Sequence, residues 1–209
     1  MLDINFTGKD FAIADLENRI WRSANSAAIN KYWSAVVAPP ERHAAARLLW
    51  SDKFLYSRFD CIQKEPIVIN EDPDLEEKTI GLWDRDVCEL FIAPDPENTD
   101  HYFEFEVAPT GEWVDLEIFN KGGDRETLSG YRSKMESAAS ISDSKLTIAM
   151  KIPFEALRAT PKDGDIWRGN LFRIIGEGPE RGYLSWRPTK TAEPNFHVPG
   201  RFGEFRFKR

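Results

Sequence analysis

Cysteine is scarce: the 209 residues hold two, Cys61 and Cys88, far apart and with no C-x-x-C spacing. That excludes a disulfide framework and a cysteine zinc site. One disulfide between neighbouring strands stays open, although each cysteine lies in an apolar strand pattern where a free thiol serves as a small hydrophobe. Histidine is as scarce, and His43, His101 and His197 are too scattered to form a metal triad by spacing. Positive charge is in deficit, with 28 Lys and Arg against 35 Asp and Glu and a net charge of −7. Phosphate backbones and anionic membranes need clustered Lys and Arg, so neither is an expected partner; the acidity serves solubility. No apolar run reaches membrane-spanning length. Met1-Leu2-Asp3-Ile4-Asn5 contains no basic segment leading into an apolar run, so no export signal is read and a soluble, cytoplasmic chain is the default expectation. Classical catalytic strings are missing too. There is no G-x-S-x-G or H-E-x-x-H, and Gly176-Glu177-Gly178 lacks the third glycine and following helix of a dinucleotide loop.

What the chain does have is apolar and aromatic weight: 41% hydrophobic residues, with 14 Phe and 7 Trp, enough for a substantial core. A short helix is expected within Leu16–Ile29. From Ala44 onward short alternating runs separated by turn residues predict strands. Arg47–Trp50 and Phe54–Cys61 form a hairpin around Ser51-Asp52-Lys53. Residues 67–81 are acidic and read as a long exposed loop delivering Trp83. Val87–Ile92 is the next strand. Tyr102–Val107 and Trp113–Phe119 make a second hairpin, with Gly111 free to take positive φ. Lys145–Ile152, Trp167–Glu177, Tyr183–Arg187 and Phe202–Phe207 complete the set, and Pro153–Leu157 is read as one helical turn. No repeat or low-complexity linker divides the chain. The expectation is all-β: a single domain, 1–209, folded as an antiparallel β-sandwich of immunoglobulin-like or jelly-roll-like type.

The segment from Leu82 to Ile92 carries the chemistry. Trp83 stands in a loop a few positions before Glu89, which lies in an apolar strand. A flat ring beside a fixed carboxylate suits a sugar, which stacks its C–H face and points its hydroxyls at acceptors. In the second hairpin, Phe103, Phe105 and Val107 point one way, and Val114, Leu116 and Ile118 can face the same core. The other face collects Glu104, Glu106, Asp115 and Glu117. A paired set of carboxylates there would be glycosidase machinery, but a solvated outer face produces the same pattern and is favoured for Glu106, Asp115 and Glu117. Trp50 and Trp167 continue apolar registers and are read as core. Trp83, Trp186, Phe196 and Trp113 lie near turns, and Phe196 sits in a Pro-bounded loop. Asp84, Asp86 and the Asp72–Glu77 run could offer oxygens to calcium, without a recognisable loop signature.

The ordered set Leu55-Tyr56…Asp60, Trp83-Asp84-Arg85-Asp86-Val87-Cys88-Glu89-Leu90-Phe91-Ile92, Tyr102-Phe103-Glu104-Phe105, Ser185-Trp186…Pro188-Thr189 and Phe196…Pro199-Gly200-Arg201-Phe202-Gly203 resembles the family 9 carbohydrate-binding modules. The resemblance implies a β-sandwich that clamps a sugar between two rings, with structural calcium admitted. It maps the first ring to Trp83, the second to Phe196, the hydroxyl-binding carboxylate to Glu89 and a further acid to Asp60. Glu104 stands where these modules place Arg, Glu193 where they place Asn, and Phe196 where they place Trp. Arg58 or Arg173 could supply the missing cation. The expected function is non-catalytic binding of a mono- or oligosaccharide by Trp83, Phe196, Asp60, Glu89 and Glu104, with Trp186 supporting the wall. A glycoside hydrolase is an expected partner. The rivals are a glycoside-processing enzyme using Glu89 and Glu104, and a haem-binding or protein-interaction sandwich in which Met135 or Met150 joins a histidine at the iron.

Overall fold

The computed structural model describes residues 1–121 and 124–209, and among these the regular structure is strand and short 3-10 turns. The strands are β1 (Leu2–Phe6), β2 (Ser26–Ile29), β3 (Lys31–Tyr32), β4 (Ala44–Trp50), β5 (Phe54–Ile62), β6 (Val87–Ala93) and β7 (His101–Val107). They continue as β8 (Trp113–Lys121), β9 (Asp124–Leu128), β10 (Glu136–Ser142), β11 (Lys145–Pro153), β12 (Ile166–Ile175), β13 (Gly182–Ser185) and β14 (Gly203–Lys208). Hydrogen bonding runs in the order β10-β11-β5-β4-β1-β14-β12-β6-β7-β8-β9, with β2, β3 and β13 joined at the sides. The two halves of that path pack face to face. Leu48, Phe59 and Ile148 from β4, β5 and β11 share one core with Leu90, Phe105, Leu171 and Phe205 from β6, β7, β12 and β14. This is the expected β-sandwich.

Pairing is antiparallel except at the seam. There β1 runs parallel to both β14 and β4, joining the two halves and burying Leu2 and Ile4. The alternation of Leu-Asp-Ile-Asn-Phe suits a strand, but its partner lies at the other end of the chain, where no local pattern reaches. The helix expected in Leu16–Ile29 is absent. Asn18 caps Ile20 N–H and starts a 3-10 turn over Arg19–Ser23, which buries Trp21 alone before the chain extends into β2. One inward residue per turn does not give a helix an apolar stripe to bury. The turn read after Pro153 is a run of short bonds from Ala156, Leu157 and Arg158 back to Pro153, Phe154 and Glu155, rather than a helix.

Register corrects the assignment of faces in the second hairpin. Directly paired antiparallel residues share a face, and the pairs are Glu106 with Val114, Glu104 with Leu116 and Tyr102 with Ile118. Val114, Leu116 and Ile118 therefore lie with the glutamates, in a second apolar layer that includes Phe91, Phe172 and Phe196. Nor is that face solvated, since Glu104 and Glu106 are buried. Asp115 and Glu117 lie on the main-core side and are buried too. Lys78 holds Asp115 and Arg158 holds Glu117 (Nη2 to Oε2 2.8 Å). The outer-face reading fails for Glu106 because loops cover that face of the sheet, and for Asp115 and Glu117 because register turns them toward the main core.

Cys61 on β5 and Cys88 on β6 belong to opposite halves. Both are free and buried, with sulfurs 3.5 Å apart across the core. Trp50 and Trp167 are core, as read.

Candidate functional site

The loop after β5 carries no regular structure until Gly81, whose φ of +85° turns the chain into the short 3-10 segment Leu82–Asp84. A left-handed φ is natural for glycine alone, so Gly81 sets where the tryptophan emerges. Leu82 buries beneath it while Trp83 keeps 37% of its surface exposed. Two groups fix this turn. Arg181 donates to the carbonyls of Trp83 and Asp84. Asp86, buried, accepts from Gly176 N–H at 2.7 Å and from Gln63 Nε2 at 3.3 Å. From Val87 the strand alternates, placing Glu89 and Phe91 on the face away from the main core.

That face is the floor of a cavity of about 300 Å³. Glu89 pairs directly with Glu106 across β6 and β7, and Glu104 lies diagonally beside them, opposite Phe91. Phe172 and Ile174 of β12 and Leu116 of β8 continue the surface. Trp83 and Tyr183 form one side. Pro194, Asn195, Phe196 and His197 form another, and Arg125 and Thr127 of β9 a third. Phe196 is buried because its ring lies flat on Phe172, centroids 3.9 Å apart and planes 10° apart. The two rings assigned to a clamp thus both border the cavity, one at its mouth and one built into its wall.

Electrostatically the floor is unusual. Glu89, Glu104 and Glu106 are all buried, and each carboxyl is raised above its ordinary value, first by burial. Repulsion adds to this for Glu89, from Glu104, and for Glu106, from both neighbours. Arg125 and Arg181 act in the opposite sense but form no ion pair with them among the described residues. His197 is not a cation either. Burial, then Arg125, pushes its pKa down to about 3, so the imidazole is neutral near pH 7. Its Nδ1 is 2.8 Å from the Tyr102 hydroxyl and its Nε2 is 3.9 Å from Glu104 Oε2.

Trp83, Glu89, Glu104 and Phe196 are therefore brought together, and Asp60 and Trp186 are not. Asp60 faces a different cavity, with Trp21 and Lys145, and is engaged by Arg47 and Arg58. Trp186 stacks on Phe205 with planes 8° apart and covers Gly203, where a Cβ would meet its ring at 2.4 Å; its role is packing. Neither arginine considered as a replacement cation reaches the carboxylates. Arg58 is committed to Asp60. Arg173 projects to the opposite face of β12, donating to the carbonyls of Arg42, His43 and Ile62 and to Gln63. Alternation explains this, because Phe172 and Ile174 take the cavity side. Glu193 is exposed and lies outside the lining, which takes Asn195 instead. Tyr183, Asn195 and Arg125 were missed. Asn195 shares the loop of Phe196 and could have been read from it, whereas Arg125 sits on an exposed strand with no local signal.

Among the described residues, acidic oxygens converge at Glu89, Glu104 and Glu106 rather than in the Asp72–Glu77 run proposed for calcium. Met150 lies in the main core. Met135 lies there too, and His43 bonds to the Ala38 carbonyl, His101 to Glu117 and His197 to Tyr102.

A β-sandwich with aromatic rings and carboxylates around a small cavity is the architecture of a ligand-binding module. Residues 14–209 match the family described as carbohydrate family 9 binding domain-like, and the chain belongs to that family. No curated protein matches it. Among solved structures it is similar to a putative carbohydrate-binding protein from Bacteroides uniformis. The two share 15% identity over 99% of this chain and 98% of that one, with a TM-score of 0.78. It is also similar to a family 9 carbohydrate-binding module from Caldicellulosiruptor kristjanssonii in complex with glucose, at 15% identity over 99% and 95% of the two chains (TM-score 0.68). A family 9 module from the same organism in complex with cellotriose matches at 15% identity over 99% and 93%, again with a TM-score of 0.68. At that identity the likeness concerns the fold.

Proposed function

We propose that these residues form a single non-catalytic domain that binds a mono- or oligosaccharide in the cavity between Trp83 and Phe196, with Glu89 and Glu104 accepting hydrogen bonds from its hydroxyls. The observation that carries this reading is the exposed Trp83 ring at the mouth of a cavity whose floor holds the buried Glu89. An indole face kept in water by a built turn is a platform for sugar C–H groups. Family membership and the sugars held by the similar Caldicellulosiruptor module support it. The volume of about 300 Å³ is at the small end for ligand sites and suits one ring or the end of a chain. A glycoside hydrolase remains a proposed partner.

The enzymatic alternative is less well supported by the arrangement. Hydrolysis sets two carboxyls on opposite sides of the bond to be cleaved. Glu89 and Glu104 stand on one sheet face, on adjacent strands. Calorimetric titration with glucose and cellotriose tests the proposal. Wild-type protein should give saturable heat and Trp83→Ala should lose it while still unfolding cooperatively, at a stability cost on the order of 1–2 kcal/mol for the buried part of the ring. Unchanged affinity in the variant would remove Trp83 from the site.

A further inference from the structure

The cavity floor is short of donors. Among the described residues no other side chain or backbone group donates to either oxygen of the fully buried Glu106 or to Oε2 of Glu104, although the Glu104 and Glu106 carboxyls lie close enough to share a proton. One oxygen each from Glu89, Glu104 and Glu106 lies within 4.8 Å of the other two. Points no farther apart than that share a centre within about 2.8 Å of all three, the length of a charge-assisted N–H···O bond.

Building on the sugar-binding reading, we propose that the preferred ligand is an amino sugar carrying a protonated primary amine, its ammonium seated among Glu89, Glu104 and Glu106. An ammonium offers three donors and no acceptor, and its charge draws the raised carboxyls into the ionised form that only accepts. A neutral hydroxyl brings no charge to offset the repulsion among them. A bare calcium ion fits less well. It takes six to eight oxygens, and beyond the three carboxylates the lining combines the rings of Trp83, Phe91, Tyr183 and Phe196 with Arg125, Thr127, Asn195 and His197, which bring few further oxygens. Those rings favour an organic cation, whose charge is attracted to aromatic faces and whose carbon skeleton packs on them.

Titration calorimetry of the whole chain at about pH 6.5, where a sugar amine is protonated, tests this with D-glucosamine, D-glucose, N-acetyl-D-glucosamine and calcium or manganese chloride. Glucosamine should bind about tenfold more tightly than glucose or the uncharged N-acetyl sugar, since charge-assisted bonds are roughly twice as strong as neutral ones. Glu104→Gln should erase that preference while a folded protein still melts cooperatively. Equal binding of glucose and glucosamine would overturn the amine proposal and leave the sugar site standing. Absence of heat with every sugar would overturn both. Tight metal binding that displaces glucosamine would reassign the cluster to a cation. The wild-type comparison alone decides among these, so the outcome does not depend on the variant's folding.

Discussion

Replacing Asp86 with asparagine should destabilise the protein in mild acid and stabilise it at alkaline pH. Asp86 is 2% exposed, and burial raises its carboxyl from 3.8 to about 6, against the opposing pull of the Gly176 and Val68 backbone bonds and of Arg173. A folded value above the unfolded one means that the native state binds more protons between roughly pH 4 and pH 6. The stability tied to the protonated carboxyl is therefore present below about pH 4 and lost as the pH rises through about 6. Two units at about 1.36 kcal/mol each give a loss of about 3 kcal/mol at most. Asparagine does not ionise and escapes that loss. Its Oδ1 can still accept from Gly176, but an amide nitrogen in place of Oδ2 faces Gln63 Nε2, another donor. Gln63 is held in that orientation by Arg173, which donates to its Oε1 at 2.5 Å. Losing that bond costs about 1 kcal/mol at any pH. The variant should then be about 1 kcal/mol less stable than wild type near pH 4 and about 2 kcal/mol more stable near pH 8. Urea unfolding followed by tryptophan fluorescence at both pH values measures this directly. The buried glutamates titrate in both proteins and largely cancel in the difference. The same stability difference at both pH values would refute the argument, because it would mean Asp86 is ionised throughout.

Phe196→Ala should cost about 3 kcal/mol, since it removes a ring stacked on Phe172 and opens the cavity wall, and sugar binding should fall with it. Chemical denaturation and calorimetry on the same sample would check both, and a stable variant that loses only binding would show that the ring is ligand platform rather than wall. Gly169→Ala should be among the most damaging small substitutions. A Cβ there would meet the Phe91 carbonyl at 2.3 Å and the Phe205 ring at 2.4 Å, forcing β12 away from β6. Soluble yield and melting temperature report it, and near-wild-type values would mean that the strands can separate at that point.

The extent to which this protein is legible in its sequence follows the range over which each signal acts. Strands β4 to β8 and β11 to β14 announce themselves through period-two alternation and turn residues, because side-chain direction in a strand is a local property; β9 and β10, mostly exposed, carry no apolar alternation and do not. Trp50 and Trp167 are core for the same reason, and the long acidic loop before Trp83 is readable from its composition. The Trp83–Glu89 pair and Phe196 could be singled out because one ring stands in a long loop and the other in a Pro-bounded one. Decisions that needed partners distant in the chain were not legible. Register alone moved Val114, Leu116 and Ile118 onto the face of the glutamates, and a one-residue change of pairing reverses such an assignment. The parallel seam of β1 depends on the opposite terminus. Whether a polar strand face meets water or a roof of loops also depends on segments far away, so the burial of Glu104 and Glu106 was hidden. Asp60 kept its strand assignment and Trp186 fell just past the end of β13, and both lost their place beside the cavity, since alternation tells which of two faces a residue takes and not what stands opposite it. The amino-acid sequence by itself determined most of the strands and singled out a loop ring and a strand carboxylate as candidates. Tertiary structure decided that three carboxylates from two strands share one buried floor with no ion-paired cation among the described residues, because only packing of the sheet and its loops sets dielectric, distance and partner together.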